Sequence, residues 1–118
     1  MLNEYGHTNN KKIVFRHDGK SAAYDSTTGL TLFRIIQYQL KNAHNCGAKK
    51  ISIQIKTNKT IRLEFIDDGK NTDAFKAERR MILRHIQTRI GIVKGKVAMN
   101  LDKLGNNLLE IEIPLAVS

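Results

Sequence analysis

The stretch Leu32-Phe-Arg-Ile-Ile-Gln-Tyr-Gln-Leu-Lys-Asn-Ala-His-Asn-Cys-Gly-Ala-Lys-Lys50 decides the fold of this chain. Apolar side chains recur in it at helical spacing, which predicts a helix with one stripe facing a core. Polar side chains recur at intervals of four, four and three residues, which predicts a second face on the same helix. The apolar stripe is Leu32, Phe33, Ile36, Leu40 and Ala43, and the polar face is Arg34, Tyr38, Asn42 and Asn45. This polar face fits either a ligand site or an ordinary solvated surface.

The composition fits one folded domain. The chain has 118 residues, of which 41% are hydrophobic. No apolar run approaches the length of a membrane span. The single cysteine, Cys46, excludes an internal disulfide and, without paired histidines, a zinc site of the usual spacings. These features favour a soluble, cytoplasmic protein with no membrane segment in this chain.

The charge balance favours an anionic partner. Lys and Arg number 20 against 11 Asp and Glu, which gives a formal charge of +9. Such a surface attracts nucleotide phosphates, nucleic acid or an acidic protein. Lys76, Arg80 and Arg84 step by four residues along a predicted helix and concentrate the charge there. Aromatic residues make up only 6%, without Trp, so no base-stacking platform supports a nucleic-acid-binding domain, which is the least favoured of the three.

The predicted elements follow the order strand, helix, hairpin, helix, hairpin. Residues 1–10 are patternless and predict a flexible tail, which leaves residues 11–118 as the domain. Asp18-Gly19 predicts a turn, residues 19–29 a loop, and the first helix begins near Gly29 or Leu30 and ends at Asn45, capped by Gly47. The remaining predictions are a strand over residues 12–16, a hairpin of 51–55 with 61–65, a polar loop over 67–73, a helix over 74–93 with Lys94 and Gly95 as its stop, and a hairpin of 96–101 with 109–115. This pattern predicts an α+β fold, a two-layer α/β sandwich with both helices on one face of a mixed, mostly antiparallel sheet.

Several stretches resemble the ATP-binding lobe of sensor histidine kinases. Arg34-Ile-Ile-Gln-Tyr-Gln-Leu-Lys-Asn42, with residues 48–53 after it, resembles the family's N-box helix and next strand. Phe65-Ile-Asp-Asp-Gly-Lys70 resembles the first glycine box, and residues 81–90 resemble the helix that follows the second glycine box. Gly95-Lys-Val97 and residues 109–115 resemble the later strands. The likeness covers about residues 30–115 in the family's order. It implies the Bergerat-type ATP-binding fold shared with gyrase, the Hsp90 chaperone and MutL proteins.

The resemblance implies ATP and Mg²⁺ as cofactors. Asn42 stands where the family ligates Mg²⁺ with a neutral oxygen, and Asn45 on the same helix is expected to contribute to nucleotide binding. Asp67 stands where the family accepts a hydrogen bond from the adenine amino group, and Gly69 where the backbone approaches the ring. Arg79, Arg80 and Arg84 are the residues expected to hold phosphate by charge.

The departures from the family pattern imply an eroded nucleotide site. Tyr38 replaces the usual Glu and is no carboxylate base near neutral pH, so no residue is assigned as catalytic. Asn71 replaces a glycine of the first box, and Arg80 and Ile82 replace those of the second, whose backbone amides would otherwise crowd the phosphates. No stretch resembles the dimerisation hairpin with its phospho-accepting histidine.

The expected function is the ATP-binding, catalytic lobe of a two-component sensor histidine kinase, which presents Mg-ATP to a histidine on a separate domain. Its partners would be nucleotide and either a histidine-bearing dimerisation domain or a protein of the response-regulator pathway. The alternative is a pseudo-kinase lobe that acts as a protein-interaction module without ATP turnover. Both interpretations keep the fold and differ in whether phosphate is transferred.

Overall fold

The described part of the chain, in a computed structural model, comprises residues 2–5, 12–19 and 26–114. Its elements are β1 (Leu2–Tyr5), β2 (Lys12–Gly19), α1 (Ser26–Asn45), β3 (Lys50–Thr57), β4 (Thr60–Asp67), α2 (Asp73–Ile92), β5 (Lys96–Leu101) and β6 (Asn107–Pro114). The described strands form one six-stranded sheet in the order β1-β2-β3-β4-β6-β5. β2 and β3 are parallel, and every other neighbouring pair is antiparallel. The mixed, mostly antiparallel sheet is therefore confirmed.

The β3–β4 hairpin forms the middle of the sheet. Its strict alternation predicts one buried face, and the structure confirms it, with Ile53 opposite Phe65 in the ladder. The buried residues are Ile51, Ile53, Ile55, Ile61, Leu63 and Phe65. β6 continues this face with Leu109, Ile111 and Ile113. Burying one side of each strand in this way gives the sheet one apolar face on which helices can pack.

The two helices pack on that apolar face of the sheet and complete the two-layer sandwich. Leu32, Ile35 and Ala43 of α1 share one apolar cluster with the sheet, and Ile86 and Ile90 of α2 belong to the same cluster. The α+β sandwich with helices on one face is confirmed. Among the described residues, no helix is both long enough and apolar enough to cross a membrane.

The inner face of α1 differs from the predicted stripe. Phe33 is 58% exposed, whereas Ile35 is fully buried. Successive residues turn about 100° around a helix, so Phe33 points away from the side on which Leu32 and Ile35 lie. Hydrophobicity alone placed Phe33 in the core, and that prediction is wrong. The helix also begins at Ser26, earlier than the predicted Gly29 or Leu30, so the last part of the predicted loop is helical.

The N-terminal segment contains a strand that the pattern did not predict. Leu2–Tyr5 pairs antiparallel with β2 where the sequence pattern indicated no strand, while the division into a tail over residues 1–10 and a domain over residues 11–118 stays a prediction. Such a short edge strand is formed by backbone hydrogen bonds to its neighbour, which leave no periodicity in the sequence. β2 also continues through Asp18 to Gly19 instead of turning there. The predicted strand residue Leu115 and part of the predicted loop lie outside the described residues.

The C-terminal ends of both helices agree with prediction to within one residue. Gly47 has φ +75° and follows α1, where the Ala48 N–H donates to the Ala43 carbonyl oxygen at 2.9 Å. This left-handed glycine is the predicted cap. After α2 the left-handed residue is Lys94 with φ 58°, while the Gly95 N–H donates to Ile90 at 2.9 Å. α2 itself lies within one residue of the predicted range at each end.

Candidate functional site

The polar centre of the molecule lies where β4 ends beside β6. Asp67 is the last residue of β4, and Asn107, the first residue of β6, lies opposite it in the ladder. The Asp67 side chain is 2% exposed. Its Oδ1 accepts hydrogen bonds from the Gly69 N–H at 2.9 Å, from Asn107 Nδ2 at 3.0 Å and from Arg79 Nη2 at 3.3 Å. One carboxylate oxygen therefore serves three donors of its own chain.

Arg79, one of the arginines expected to hold phosphate, reaches this centre from α2 and pairs there with a carboxylate of the chain itself. Its side chain is 9% exposed, and its guanidinium forms an ion pair with Asp67. Its Nε has no hydrogen-bond partner in the described part of the chain. Arg79 lies seven residues before the fully buried Ile86, on the same face of the helix. That spacing is the sequence signal for its burial.

The loop after β4 is joined to the end of α1. The Lys70 N–H donates to the Cys46 carbonyl oxygen at 2.9 Å. A Cβ on Gly69 would lie 2.8 Å from both Arg79 Nη2 and Asp67 Oδ1, and 2.9 Å from the Cβ of Cys46. These distances are too short for any side chain at this position. Gly69 is required because side chains of the chain itself surround it.

The Cys46 thiol belongs to the same buried centre. Burial raises the pKa of the Cys46 thiol above its ordinary value, and the nearby Arg79 guanidinium opposes the rise while the Glu78 and Asp67 carboxylates add to it. The side chain is fully buried. A buried thiol with a raised pKa stays protonated near neutral pH and is a poor nucleophile. Cys46 therefore acts as a packed side chain of the centre.

A cleft of 310 Å³ opens beside Asp67 and Arg79. Its lining residues come from both helices, the loop after β4 and the β5–β6 hairpin: Gln39, Asp67, Asn71, Lys76, Arg79, Met99, Asn100, Leu101, Asn107, Leu108 and Leu109. Asn71 Nδ2 donates to Asn107 Oδ1 at 2.7 Å and so ties the loop to β6. The volume lies at the lower end of the range for small-molecule sites. Apolar walls beside a few polar groups suit a flat heteroaromatic ring.

Asn42 is buried on the inner side of α1. It is 1% exposed, and neither its Oδ1 nor its Nδ2 has a hydrogen-bond partner in the described ranges. The same holds for the Oε1 of Gln39, which lines the cleft one helical turn earlier. Buried polar atoms without partners are rare in folded proteins, and each calls for water or a ligand. These amides are therefore available to ordered water or to a ligand inside this part of the fold.

The other members of the predicted polar face point elsewhere. Each step of four residues turns about 40° around the helix axis, so a row at that spacing winds from the outer side of the helix to the inner side. Arg34 and Asn45 are exposed and do not line the cleft. Tyr38 contacts α2, where Arg89 Nη2 donates to its hydroxyl at 3.1 Å and His85 stacks on its ring at a centroid distance of 6.4 Å.

Arg80 and Ile82 lie inside α2, which changes the interpretation of the second glycine box. Only residues 68–72 separate β4 from the helix. Thr72 caps that helix, its Oγ1 accepting from the Phe75 N–H at 3.4 Å. The described chain therefore has regular helix where the resemblance implies a glycine-rich phosphate loop. Arg80 and Arg84 are exposed on this helix and are not part of the cleft lining.

The donor set fits one ligand of a Mg²⁺ ion. In the described ranges, no group of three or more His, Cys, Asp or Glu is placed to hold a metal. The orphaned Oδ1 of Asn42 is a neutral oxygen of the kind that Mg²⁺ accepts. Mg²⁺ commonly takes its remaining ligands from phosphates and water. Asn42 therefore fits Mg²⁺ only together with a nucleotide.

Comparison with known proteins gives a consistent fold. No protein-family model matches the sequence, and no curated protein matches it. Solved structures do. The catalytic domain of histidine kinase ThkA superposes with a TM-score of 0.67 at 14% identity, covering 92% of this chain and 82% of that one. The ATP-binding domain of PrrB from Mycobacterium tuberculosis gives 0.60 at 16% identity, covering 75% and 69%.

A longer protein shows the same likeness. The blue-light-activated histidine kinase EL346 of Erythrobacter litoralis superposes with a TM-score of 0.66 at 15% identity. The match covers 92% of this chain but only 36% of that protein, so this chain spans about a third of its length. At sequence identities this low, the superpositions support a shared fold and nothing further. The chain therefore has the α+β fold of histidine kinase ATP-binding, catalytic domains.

Proposed function

We propose that this chain is an ATP-binding lobe of the sensor histidine kinase type with an eroded nucleotide site. It holds adenine nucleotide weakly and transfers phosphate poorly or not at all. The observation that carries the proposal is the position of Asp67, a buried carboxylate on the wall of a 310 Å³ cleft in this fold. A buried acceptor beside apolar walls recognises the amino edge of a purine.

The cleft supplies the groups that an adenine nucleotide needs. Asp67 would accept from the adenine amino group, and Met99 and Leu109 offer apolar contacts to the ring. Lys76 is an exposed cation in the cleft lining and attracts phosphate. Asn42 is buried about one turn after Gln39 on α1 and is not part of the cleft lining; with a bound nucleotide it would hold Mg²⁺, which offsets the phosphate charge.

Weak binding follows from two features of the site. The first is that Arg79 and two further donors already occupy Asp67 Oδ1, so an adenine amino group competes with them for that oxygen. The second is the short connection over residues 68–72, which leaves no room for a loop that closes over the phosphates. Phosphoryl transfer depends chiefly on positioning and on charge stabilisation around the phosphates. A site without a closing loop loses much of both.

A second candidate function is a pseudo-kinase lobe that binds proteins and turns over no ATP. The observation that favours it is the Arg79–Asp67 contact, because the chain's own guanidinium stands where a ligand's amino group would donate. In either case the proposed partners are a histidine-bearing dimerisation domain or a protein of the response-regulator pathway. Both proposals include a cytoplasmic location, where ATP is available.

Calorimetric titration of Mg-ATP and of ADP into the purified chain tests the proposal. We expect a dissociation constant of about 100 µM or weaker, corresponding to roughly −5.5 kcal/mol. Asp67→Asn should weaken ADP binding about tenfold, because an amide in place of the carboxylate disturbs the acceptor. Low-micromolar binding of Mg-ATP would contradict the eroded site.

Asp68→Asn is the matched control. Asp68 is an exposed neighbour with the same charge, and its Oδ1 accepts from the Lys49 and Lys50 N–H groups at 2.7 and 3.0 Å. It is not part of the cleft lining. Its ADP affinity should equal that of the unmodified chain. Equal losses in both variants would show that net charge, and not recognition at Asp67, determines binding.

A further inference from the structure

The outer side of α1 carries apolar side chains in water. Leu30 is 52% exposed and Phe33 is 58% exposed. Together with Arg34, Gln37, Tyr38 and Lys41 they line a depression of 430 Å³, here called the outer groove. Large apolar side chains this exposed and this close together mark an interaction surface more often than a solvated one.

The outer groove is electropositive. The sequence of α1 contains no Asp or Glu, and none of the ion pairs of the described residues involves Arg34 or Lys41. The adjacent half of α2 adds Arg89, whose guanidinium lies 5.3 Å from the centre of the Tyr38 ring. Cations without carboxylate partners beside apolar side chains favour a ligand that is both acidic and apolar.

We propose that the outer groove binds an acidic amphipathic helix of another protein. Leu30 and Phe33 would contact its apolar side chains, and Arg34 and Lys41 would pair with carboxylates that flank them. From Leu30 to Lys41 the groove follows α1 for about 17 Å, which matches about three turns of a partner helix. Helices of this kind bind grooves through apolar anchors at i, i+3, i+4 and i+7.

The shape and chemistry of the groove favour this partner over two others that share its negative charge. Single-stranded nucleic acid needs free aromatic faces. Tyr38 is already stacked with His85, which leaves Phe33 as the groove's remaining aromatic ring. An anionic membrane is met by a protruding apolar face, whereas the outer groove is a depression that accepts side chains.

This inference goes beyond the proposed nucleotide site and does not rest on it. The outer groove and the buried residues Gln39 and Asn42 occupy opposite sides of α1. A variant of the groove leaves the cleft unchanged, so the two proposals fail separately. ADP titration of each groove variant makes that separation measurable.

The test uses the full chain and a designed fluorescent peptide of about 18 residues, or five helical turns, with Leu and Phe along one face and Glu on the others. Fluorescence anisotropy should show saturable binding that weakens as salt is added, because exposed charges are screened. Phe33→Ser should weaken binding at least tenfold, and so should Arg34→Glu combined with Lys41→Glu. A peptide with Lys in place of every Glu should not bind. Absence of binding by the acidic peptide overturns the proposal.

Leu104→Ser is the matched control, because Leu104 is 86% exposed in the β5–β6 turn and does not line the outer groove. It should bind the acidic peptide as well as the unmodified chain does. Circular dichroism melts confirm that each variant is folded. Oligo-thymidine or phosphatidylglycerol vesicles that bind more tightly than the peptide, and lose binding in Phe33→Ser, would reassign the groove. Concentration-dependent dimers that Phe33→Ser abolishes would reassign it to a second copy of this chain.

Discussion

Arg79 Nη2 lies 3.3 Å from Asp67 Oδ1 in a region where both side chains are nearly excluded from water. The contact joins the middle of α2 to the end of the central strand β4. It satisfies Oδ1 of the carboxylate with a group of the chain itself, so a ligand that donates to that oxygen must compete with a resident guanidinium. This one relationship links the stability of the fold to the affinity of the proposed nucleotide site.

Arg79→Ala should raise the affinity for ADP. Removing the guanidinium frees one of the three positions on Asp67 Oδ1, which a nucleotide amino group can then take. The gain should be about threefold to tenfold, near the 1 kcal/mol of one hydrogen bond. Calorimetry well below the melting temperature measures it. The exposed neighbour Arg80→Ala serves as control and should change the affinity little. A loss of affinity in Arg79→Ala would mean that Arg79 binds the nucleotide itself.

The same substitution should destabilise the fold. Breaking a buried ion pair leaves the remaining charge without its partner, at a cost of about 3 kcal/mol at the lower end of the measured range. Urea denaturation gives the free energy of unfolding. Arg80→Ala removes an equal charge from the exposed side of α2 and should stay within about 0.5 kcal/mol of the unmodified chain. Equal stabilities of the two variants would show that the Asp67–Arg79 contact contributes nothing.

Strict alternation made the central part of the fold predictable. Ile51, Ile53 and Ile55 alternate with polar residues, and strict alternation of this kind indicates a strand with one buried face and one exposed face. The strand Leu2–Tyr5 has no comparable alternation in its sequence, and its pairing with β2 was not predictable from local pattern. Phe33 shows the opposite failure, in which an apolar residue lies on the outer side of a helix.

Half of the candidate site could be predicted from local sequence. Asp67 and Gly69 stand together at a strand end, a signature that a local resemblance can find. Asn107 could not be found in this way, since it meets Asp67 only through the register of β4 with β6. The burial of Arg79 can be predicted only after the inward face of α2 has been identified.

Cys46 should make stability depend on pH in the alkaline range. Its pKa is raised in the folded chain, so the unfolded thiol loses its proton first. The contribution of the thiol is complete below the ordinary thiol pKa of about 8.5 and declines as the pH rises above it. The free energy of unfolding should therefore fall more steeply with pH than in Cys46→Ala. Urea denaturation from neutral to alkaline pH measures both slopes. Parallel curves would contradict the raised pKa.

Gly69→Ala should disturb the site directly. Its Cβ would lie 2.8 Å from Asp67 Oδ1 and from Arg79 Nη2, so both groups must move. Overpacking of this kind costs about 1 to 3 kcal/mol. Gly91→Ala is the matched control, because a Cβ there meets nothing within 4 Å and the position is helical. That change should stabilise the chain by about 0.5 to 1 kcal/mol. In thermal denaturation, the melting temperature should fall in Gly69→Ala and rise in Gly91→Ala.

Introducing glycines where sensor histidine kinases have them should not create a kinase. Arg80→Gly and Ile82→Gly fall inside α2, where each glycine costs about 1 kcal/mol relative to a good helix former and builds no loop. With Tyr38→Glu and Asn71→Gly added, the variant should unfold at lower temperature. Transfer of radiolabelled phosphate from ATP to a histidine-bearing domain should be no greater than with the unmodified chain.

Because Arg80 lies inside α2, a second variant can separate the effect of losing its side chain from the effect of placing glycine in the helix. Arg80→Ala keeps the helix and removes the same side chain, so it separates the loss of the arginine from the loss of helical propensity. If Arg80→Gly melts α2 while Arg80→Ala does not, the segment is structural helix and no phosphate loop can be recovered from it. Ordinary phosphotransfer by the unmodified chain would contradict the eroded site at once. Phosphotransfer gained only by the glycine variant would show that a closing loop can form from the first turns of α2.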